Sequence, residues 1–494
     1  MRTTRHGPVI PDHGIIADVA PKGYVLALAW TALAPDDATM DTSVCVDDAR
    51  AAADFIKDAA TFVSPMQNFI FADDEGHIGL MLPGRVPMRA ADNDSLGLVP
   101  APGWEARYDW TGYVPEMATI LDPPSGRIAT ANDKTVPKDF PYVLTREWSD
   151  PYRHDRIDAL LAATSKHSAE SFEAIQRDAV DGYAVLLKQH LVKAGPFEGK
   201  DKEAAALLET WDGAMRRDLP QSLIYAAWSR ALSKRIYADE LGKNFDSFWS
   251  HQPDFTLDVL NNKDGAGHWC DDRTTPAVED CRSRIRLALK DAIAELSQAY
   301  GDDIAKWRWG DAHKAINAHR PLGSFPVIGG FFNREIEMDG GAFTIFRADY
   351  SFSSARPYAA VHGAGYRAIY DLGNPDNSRY IVSTGESGNV FSPYYDDLMP
   401  LWANGEYITI PTTTAAVAAA PVQQLSAVCS AMSLWCRQYL IRHCLSQLAG
   451  QFPPMVPMLL RLTSLTDELA VFPTQGTWAP TGFNSAMRAA GCHR

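Results

Sequence analysis

The spacing of apolar positions in residues 1–150 is mostly that of β-strands. Asn68-Phe69-Ile70-Phe71-Ala72-Asp73 predicts a strand, and Asp74-Glu75-Gly76-His77 predicts a turn. Ile78-Gly79-Leu80-Met81-Leu82 then predicts the returning strand of a hairpin. Proline and glycine interrupt the pattern at several points after it, which is typical of short strands joined by turns.

From about residue 150 the apolar spacing becomes helical. Ile157-Asp158-Ala159-Leu160-Leu161 begins the pattern, and apolar residues recur at intervals of three and four from Glu203 to Leu232. Arg284 to Tyr300 predicts a further amphipathic helix. Residues 325–410 return to strands and turns, and the alanine-rich run from Thr412 to Ala420 indicates a boundary.

Composition narrows the class of protein. With 494 residues, 46% of them hydrophobic and 22% charged, the chain can form a large core and two or more folding units. A net charge of −15 without a Lys/Arg cluster argues against nucleic acid and anionic membranes as partners. No apolar run reaches the roughly 20 residues of a membrane span. The first seven residues lack the apolar core of a signal peptide, so none is predicted.

Two cysteines flank a short polar loop. Cys270 and Cys281 could close a disulfide in an oxidising compartment, or they could be two free structural thiols, and their spacing alone does not decide. Four more cysteines lie in the last 66 residues, which also lack a clear apolar period: Cys429, Cys436, Cys444 and Cys492.

General catalytic motifs are absent from the sequence, which has no P-loop, no Gly-x-Ser-x-Gly and no His-Glu-x-x-His. His313 and His319 are six residues apart, a spacing that does not place them on one helical face. A metal-binding pair is therefore less favoured than two structural histidines. Acidic pairs such as Asp73-Asp74 and Asp271-Asp272 are typical of solvated turns; calcium binding or paired-carboxylate catalysis would need further converging ligands.

A family resemblance lies in nine segments that occur in the family's order. They are Thr4-Arg5-His6-Gly7-Pro8-Val9, Asn68-Phe69-Ile70-Phe71-Ala72-Asp73 with Gly76-His77-Ile78-Gly79 and Pro83-Gly84-Arg85-Val86-Pro87, Asp109-Trp110-Thr111-Gly112-Tyr113-Val114-Pro115, Pro123-Pro124-Ser125-Gly126-Arg127-Ile128-Ala129-Thr130-Ala131-Asn132, Asp150-Pro151-Tyr152-Arg153, Trp309-Gly310-Asp311-Ala312-His313, Asp376-Asn377-Ser378, Ser383-Thr384-Gly385-Glu386-Ser387-Gly388 and Ser392-Pro393-Tyr394-Tyr395-Asp396-Asp397. Over about residues 1–425 the chain resembles the C-terminal part of the large chain of the penicillin acylase and acyl-homoserine lactone acylase family, which are N-terminal nucleophile hydrolases.

The resemblance implies hydrolysis of a linear amide. In this family a serine at the amino terminus of the large chain attacks the amide, and its own α-amine acts as the base. An asparagine that matches Asn132 donates to the oxyanion, and an arginine that matches Arg153 organises the site. Outside this context Asn132 would be interpreted as a turn asparagine, and Arg153 as one side of a surface ion pair.

The same resemblance implies an α+β fold, an incomplete αββα sandwich with an inserted, mainly helical region. Residues 1–150 would form part of the catalytic core, 151–320 the helical region and 321–425 the returning strands of the core. Residues 426–494 do not resemble the family, and we expect this atypical tail to pack outside the main core.

No serine in the sequence has the context of the family's nucleophile; Ser324, after Gly323, is followed by Phe325-Pro326. The expectation is a chain truncated before that serine and inactive alone, either a half-enzyme complemented by a serine-bearing chain or a non-catalytic remnant. The expected partners are an acyl-amide substrate, the family's small chain and the nucleophile-bearing segment. The chemistry requires no cofactor, although the intact family can hold structural calcium. Asp139 falls near the position of one family calcium ligand, but the local match does not carry that role over to it. The resemblance implies a periplasmic or extracellular protein, whereas the chain as it stands would be cytoplasmic.

Overall fold

The computed structural model describes residues 1–11, 13, 19–115 and 117–420. The chain divides into two compact units, Met1–Thr413 and Thr414–Arg494. All the elements below belong to the first unit except the last helix, and the predicted atypical tail, residues 426–494, lies outside the described residues.

Short strands and helices alternate in groups along the chain. The strands are β1 (Thr3–Thr4), β2 (Gly7–Pro8), β3 (Phe69–Ala72), β4 (Ile78–Met81), β5 (Pro87–Arg89), β6 (Trp110–Tyr113), β7 (Thr119–Leu121), β8 (Lys314–Asn317), β9 (Arg334–Glu337), β10 (Ala348–Asp349), β11 (His362–Gly363), β12 (Tyr366–Ile369), β13 (Arg379–Val382) and β14 (Ile408–Thr409). The helices are α1 (Thr39–Val46), α2 (Ala52–Ala59), α3 (Tyr152–Ala162), α4 (Ala169–Gln176), α5 (Gly182–Lys193), α6 (Gly199–Glu209), α7 (Pro220–Leu241), α8 (Phe245–Phe248), α9 (Pro253–Leu260), α10 (Cys281–Tyr300), α11 (Trp309–Ala312), α12 (Gly329–Phe332), α13 (Met399–Asn404) and α14 (Thr414–Ala419). The fold is mixed α+β, as predicted.

The predicted hairpin between residues 68 and 82 is confirmed. β3 and β4 pair antiparallel with Phe69 opposite Met81, and β7 extends the sheet on the other side of β4. The Asp73 side chain begins the turn, because its Oδ1 accepts hydrogen bonds from the backbone N–H groups of Glu75 and His77 at 3.1 and 2.9 Å. The chain enters the candidate site shortly after β7.

The other strands form small antiparallel sheets. β12, β13 and β14 make a three-stranded sheet, and β1–β2, β5–β6, β8–β9 and β10–β11 are two-stranded. The β8–β9 pair follows the helical stretch directly and forms part of the wall of a cleft described below.

The helical pattern predicted from Glu203 to Leu232 is interrupted, and the prediction is wrong for residues 210–219. α6 ends at Glu209 and α7 begins at Pro220, where the missing N–H of proline costs no helical hydrogen bond. Between them Gly213 has φ +86°, and a Cβ there would lie 2.6 Å from the Val185 side chain. Glycine is therefore required at this turn both for its backbone and for its size.

The largest core cluster is helical and centres on α7. This helix is buried on most of its circumference, and α10 packs along it. Trp228 is fully buried within α7, and its indole N–H donates to the backbone oxygen of Ile285 in α10 at 2.9 Å. A helix that is surrounded by other elements has apolar residues around most of its circumference, which explains why α7 shows no single apolar face. Within the described residues, no helix combines the length and the apolar character that a membrane crossing requires.

The structure decides between the two alternatives for Cys270 and Cys281: they form a disulfide, and their Cα atoms lie 4.9 Å apart. Cys270 ends a 3-10 segment, Lys263–Cys270, and Cys281 begins α10, so the bridge joins two elements of the helical core. Between the cysteines, Asp271 Oδ1 accepts from the backbone N–H of Glu279 at 2.9 Å, which closes the loop a second time.

Replacing both Cys270 and Cys281 with alanine is expected to lower the free energy of unfolding by up to about 3 kcal/mol. The reason is that a crosslink over 11 residues restricts the unfolded chain. Urea denaturation followed by circular dichroism measures the loss, and the unsubstituted protein in dithiothreitol is the matched control. An unchanged midpoint in both samples would show that the bridge contributes no stability.

Candidate active site

The residue Asn132 lies in a tight turn that follows β7 and precedes α3. Its backbone adopts φ +68°, a left-handed conformation that asparagine tolerates better than most residues with a Cβ. Its backbone oxygen accepts a hydrogen bond from the N–H of Ser149 at 3.0 Å, which fixes the turn against the chain entering α3. The side chain of Asn132 is exposed.

Arg153, in the first turn of α3, holds this asparagine. Its Nη2 donates to the backbone oxygen of Ala131 at 2.6 Å and to the side-chain oxygen of Asn132 at 3.0 Å. The family resemblance implied that these two residues belong to one site, and the structure brings them together. Because a guanidinium can only donate, the atom that faces it is the amide oxygen, and the amide nitrogen is directed away.

The orientation leaves a hydrogen-bond donor available. Across the described part of the chain, the Nδ2 of Asn132 has no acceptor within hydrogen-bond distance. An exposed NH₂ group held by its own carbonyl oxygen is a preorganised donor for a negatively charged oxygen. The arrangement can therefore stabilise an oxyanion without any proton transfer to or from the asparagine.

Two further residues fix the turn, and the sequence did not assign them roles. Asp133 is buried, and its Oδ1 accepts from the backbone N–H of Ala131 at 2.9 Å. Asn68, one residue before β3, donates through Nδ2 to the hydroxyl of Thr130 at 2.9 Å. Of these two, only Asp133 could have been suspected from the sequence. It stands next to Asn132, and aspartate commonly accepts hydrogen bonds from nearby backbone N–H groups in turns.

The charge of Arg153 is influenced by its surroundings. Burial lowers the pKa of Arg153 to about 10, and the like charge of Arg347 acts in the same direction. The carboxylates of Asp349 and Asp133 oppose this lowering of the pKa. Because the lowered pKa remains well above 7, the guanidinium stays protonated at neutral pH and can donate its hydrogen bond to Asn132.

Of the two histidines considered from the sequence, His313 has the surroundings of a structural histidine. His313 is fully buried, stacks on Trp309 at a centroid distance of 4.2 Å and binds the backbone oxygen of Tyr358 through Nδ1 at 2.6 Å. Burial lowers the pKa of His313 to about 4, so the ring is neutral at pH 7. Residues 1–11, 13, 19–115 and 117–420 contain no group of three or more His, Cys, Asp or Glu side chains placed to hold a metal ion.

Other candidate residues have ordinary surroundings. Asp139, considered near a calcium ligand of the family, is exposed. Ser324 is exposed too, and its hydroxyl donates to the backbone oxygen of Pro321 at 2.7 Å, as in a turn. Among the described residues, neither forms a hydrogen bond with Asn132 or Arg153.

Comparison with known proteins identifies the family of the chain. The sequence model of the penicillin amidase family matches residues 1–419. The chain belongs to the penicillin amidase family. The resemblance noted from the nine sequence segments is thereby confirmed.

Curated relatives within the family are bacterial acylases. The chain is 30% identical over 434 residues to the acyl-homoserine lactone acylase QuiP of Pseudomonas syringae pv. syringae (strain B728a), a match that covers 83% of this chain and 51% of the relative. It is 28% identical over 408 residues to the penicillin acylase 2 proenzyme of Pseudomonas sp. (strain SE83), covering 81% and 50%. The chain thus spans about half the length of the curated relatives it matches.

A solved structure shares the fold. The thermostable penicillin G acylase from Alcaligenes faecalis superposes with a TM-score of 0.59, over 86% of this chain and 78% of that chain. The two sequences are 18% identical, so this likeness concerns the fold alone. The penicillin amidase family fold therefore extends through most of the described chain.

Proposed function

We propose that this chain provides the oxyanion-binding part of a hydrolase that cleaves carbon–nitrogen bonds in linear amides. The observation that supports this most directly is the contact from Arg153 to the side-chain oxygen of Asn132, which leaves the amide N–H groups available. In this proposal residues 1–150 and 321–425 form an incomplete αββα sandwich, and 151–320 form the inserted helical region.

Asn132 is proposed to act on the tetrahedral intermediate. When a nucleophile adds to the amide carbonyl, its oxygen becomes an anion, and the Nδ2–H of Asn132 donates to it. Because the neutral amide does not titrate, this donor is available at every working pH. One such donor typically lowers the barrier by about 3–4 kcal/mol. Arg153 is the positioning residue, since it holds the amide through its oxygen and fixes the backbone at Ala131.

The proposed substrate is an acyl group joined to an amine. Relatives carry the names acyl-homoserine lactone acylase and penicillin acylase, so homoserine lactone and a β-lactam nucleus are the proposed classes of amine. The nucleophile is proposed to be the serine of a family-type nucleophile-bearing segment, whose α-amine would serve as the base. We propose the periplasm or the extracellular space as its compartment, consistent with the disulfide Cys270–Cys281.

The form of this proposal in which a separate chain carries the serine, a complemented half-enzyme, is favoured over a non-catalytic remnant by one observation. Three aromatic side chains of the first 104 residues are largely accessible: Tyr24 is 55% exposed, Trp30 50% and Trp104 65%. Tyr24 and Trp104 lie against each other with ring centroids 5.3 Å apart, so part of this surface is continuous. Exposed aromatic patches of this kind are typical of surfaces that bind another protein segment.

The purified chain is expected to release no chromogen from an acyl anilide, because no serine in its sequence has the family's nucleophile context. Turnover is expected when a second polypeptide carrying the family's serine-bearing segment is co-expressed with it. Trp104→Ser, at the exposed surface, should weaken that complementation. Turnover by the chain alone, lost in Asn132→Ala, would contradict the proposal, and failure of every complementing segment would favour the non-catalytic remnant.

A further inference from the structure

A cleft of about 580 Å³ lies on one side of the first unit, at the end of β8. Its walls come from β8 and the residues after it, from α12 and β9, and from the segment 384–395. The lining residues are Ile316, Asn317, Ala318, His319, Arg320, Phe332, Arg334, Val361, Thr384, Ser387 and Tyr395. A volume of this size is within the range of small-molecule sites, roughly 300–1,000 Å³.

The charge of this cleft is opposite to that of the chain. The sequence has 61 acidic residues against 46 lysines and arginines, yet the lining contains two arginines, one histidine and no carboxylate. Arg320 makes neither an ion pair nor a side-chain hydrogen bond with any residue that the structure describes. An arginine that has no acidic partner and lies in a concave site attracts anions, even where the protein as a whole is acidic.

Arg334 contributes less charge but a further donor. Its guanidinium forms an ion pair with Asp396, and Nη1 donates to the backbone oxygens of Phe331 and Asn333 at 2.8 and 3.0 Å. Within the described chain its Nη2 has no acceptor. The net charge of the cleft is therefore that of Arg320, with the N–H groups of Arg334 Nη2 beside it, so a single negative charge would balance the site.

Hydroxyl groups add neutral donors to the same lining. The Oγ of Ser387 accepts from the backbone N–H of Asn389 at 3.1 Å, which leaves its own O–H available. The hydroxyl of Thr384 has no side-chain hydrogen bond among the residues described. By contrast the Tyr395 hydroxyl already donates to the backbone oxygen of Phe332 at 2.7 Å. The cleft thus has more donors than acceptors, which suits an acceptor-only group such as a carboxylate.

Apolar surface completes the lining. Ile316, Phe332 and Val361 line the cleft, and Val361 is 53% exposed although apolar. We propose that the cleft binds an organic monocarboxylate: its carboxylate lies on Arg320 within reach of the hydroxyls, and its apolar body lies on these three side chains. Arg320 presents the planar fork that carboxylates prefer. The site shares no residue with the Asn132 turn, so it stands whether or not the proposed hydrolase activity is found.

Isothermal titration calorimetry on the full chain tests the proposal with 3-phenylpropionate, its neutral amide and inorganic phosphate as probes. The acid is expected to bind at least ten-fold more tightly than the amide and to lose affinity as salt increases. Phosphate should compete poorly, since it lacks an apolar body. Equal binding of acid and amide, no binding of the acid, or competition by phosphate at equal concentration would each overturn the proposal.

Variants locate the binding in the cleft. Arg320→Gln should lower the affinity for the acid at least ten-fold. Arg50→Gln is the matched control, at an arginine side chain that is 82% exposed, and it should bind the acid as the parent does. Val361→Asp adds a carboxylate to the lining and should lower the affinity for the acid more than the affinity for the amide. Thermal unfolding of each variant checks folding. Parental affinity in both Arg320→Gln and Val361→Asp would place the binding elsewhere and refute the assignment.

Discussion

Replacing Asn132 with glycine is expected to lower kcat of the complemented hydrolase a hundred- to a thousand-fold, with little change in KM. In the proposed mechanism the Nδ2–H donor acts on charge that develops in the transition state, so its loss should raise the barrier by about 3–4 kcal/mol and leave substrate binding largely intact. Glycine is the appropriate replacement, because Asn132 has φ +68° and glycine adopts that conformation without strain. Initial rates on a chromogenic acyl anilide provide the measurement.

Three companion variants define what the loss means. Asn132→Ala should be as inactive as the glycine variant. It should be less stable than the glycine variant, since a Cβ at positive φ costs about 1–2 kcal/mol. Asn132→Asp keeps an oxygen for Arg153 but presents a second oxygen where the donor was, so it should be no better than glycine. Asn374→Ala, at an exposed asparagine elsewhere, should keep full activity. A loss of less than three-fold in Asn132→Gly would remove Asn132 from the mechanism.

Elements of the fold were predictable where the residues that define an element are close in sequence and its apolar residues are also those that the core buries. The hairpin from β3 to β4 has two short apolar runs, a turn with Asp and Gly between them, and an Asp73 side chain that caps its own turn. The helix α10 carries Asp280 at its N-cap, whose side chain accepts from the backbone N–H of Ser283, and its apolar face packs on α7. In both cases the residues that define the element lie within a few positions of each other.

The interruption between α6 and α7 could not be read from periodicity. Trp211 and Met215 are buried in the core although they lie in the turn, so apolar spacing continues across a stretch that is not helical. Gly213 and Pro220 are residue types that commonly end a helix, but the prediction rested on apolar spacing alone. Burial rather than helical structure produced that part of the pattern.

The candidate site was predictable only in part for a similar reason. Asn132 and Arg153 came from the family resemblance, whereas Asn68 and Asp133 support them through hydrogen bonds to Thr130 and to a backbone N–H. Asn68 lies 62 positions from the residue it contacts, and no local pattern encodes such a pairing. Residues that support a candidate functional side chain through its neighbours leave little trace in a single sequence.

Replacing Trp228 with alanine is expected to lower the free energy of unfolding by about 3–5 kcal/mol, because it removes a large side chain from a close-packed core. Trp228 is fully buried in α7, and the edge of its ring system packs against Phe197 at a centroid distance of 5.7 Å. Its indole N–H donates to the backbone oxygen of Ile285, so α7 loses a hydrogen bond to α10 as well. Urea denaturation followed by circular dichroism at 222 nm measures the change.

Two variants separate the contributions at this position. Trp228→Phe keeps most of the ring volume but removes the N–H, so its loss should be smaller, about 1–2 kcal/mol. Trp104→Ala removes a tryptophan that is 65% exposed and should leave the midpoint nearly unchanged. Because the helical core surrounds α7, the destabilised alanine variant should also be cut faster by protease within residues 182–300 than the parent protein. A loss below about 1 kcal/mol in Trp228→Ala would mean that the core closes over the cavity and that packing around α7 is far looser than its burial indicates.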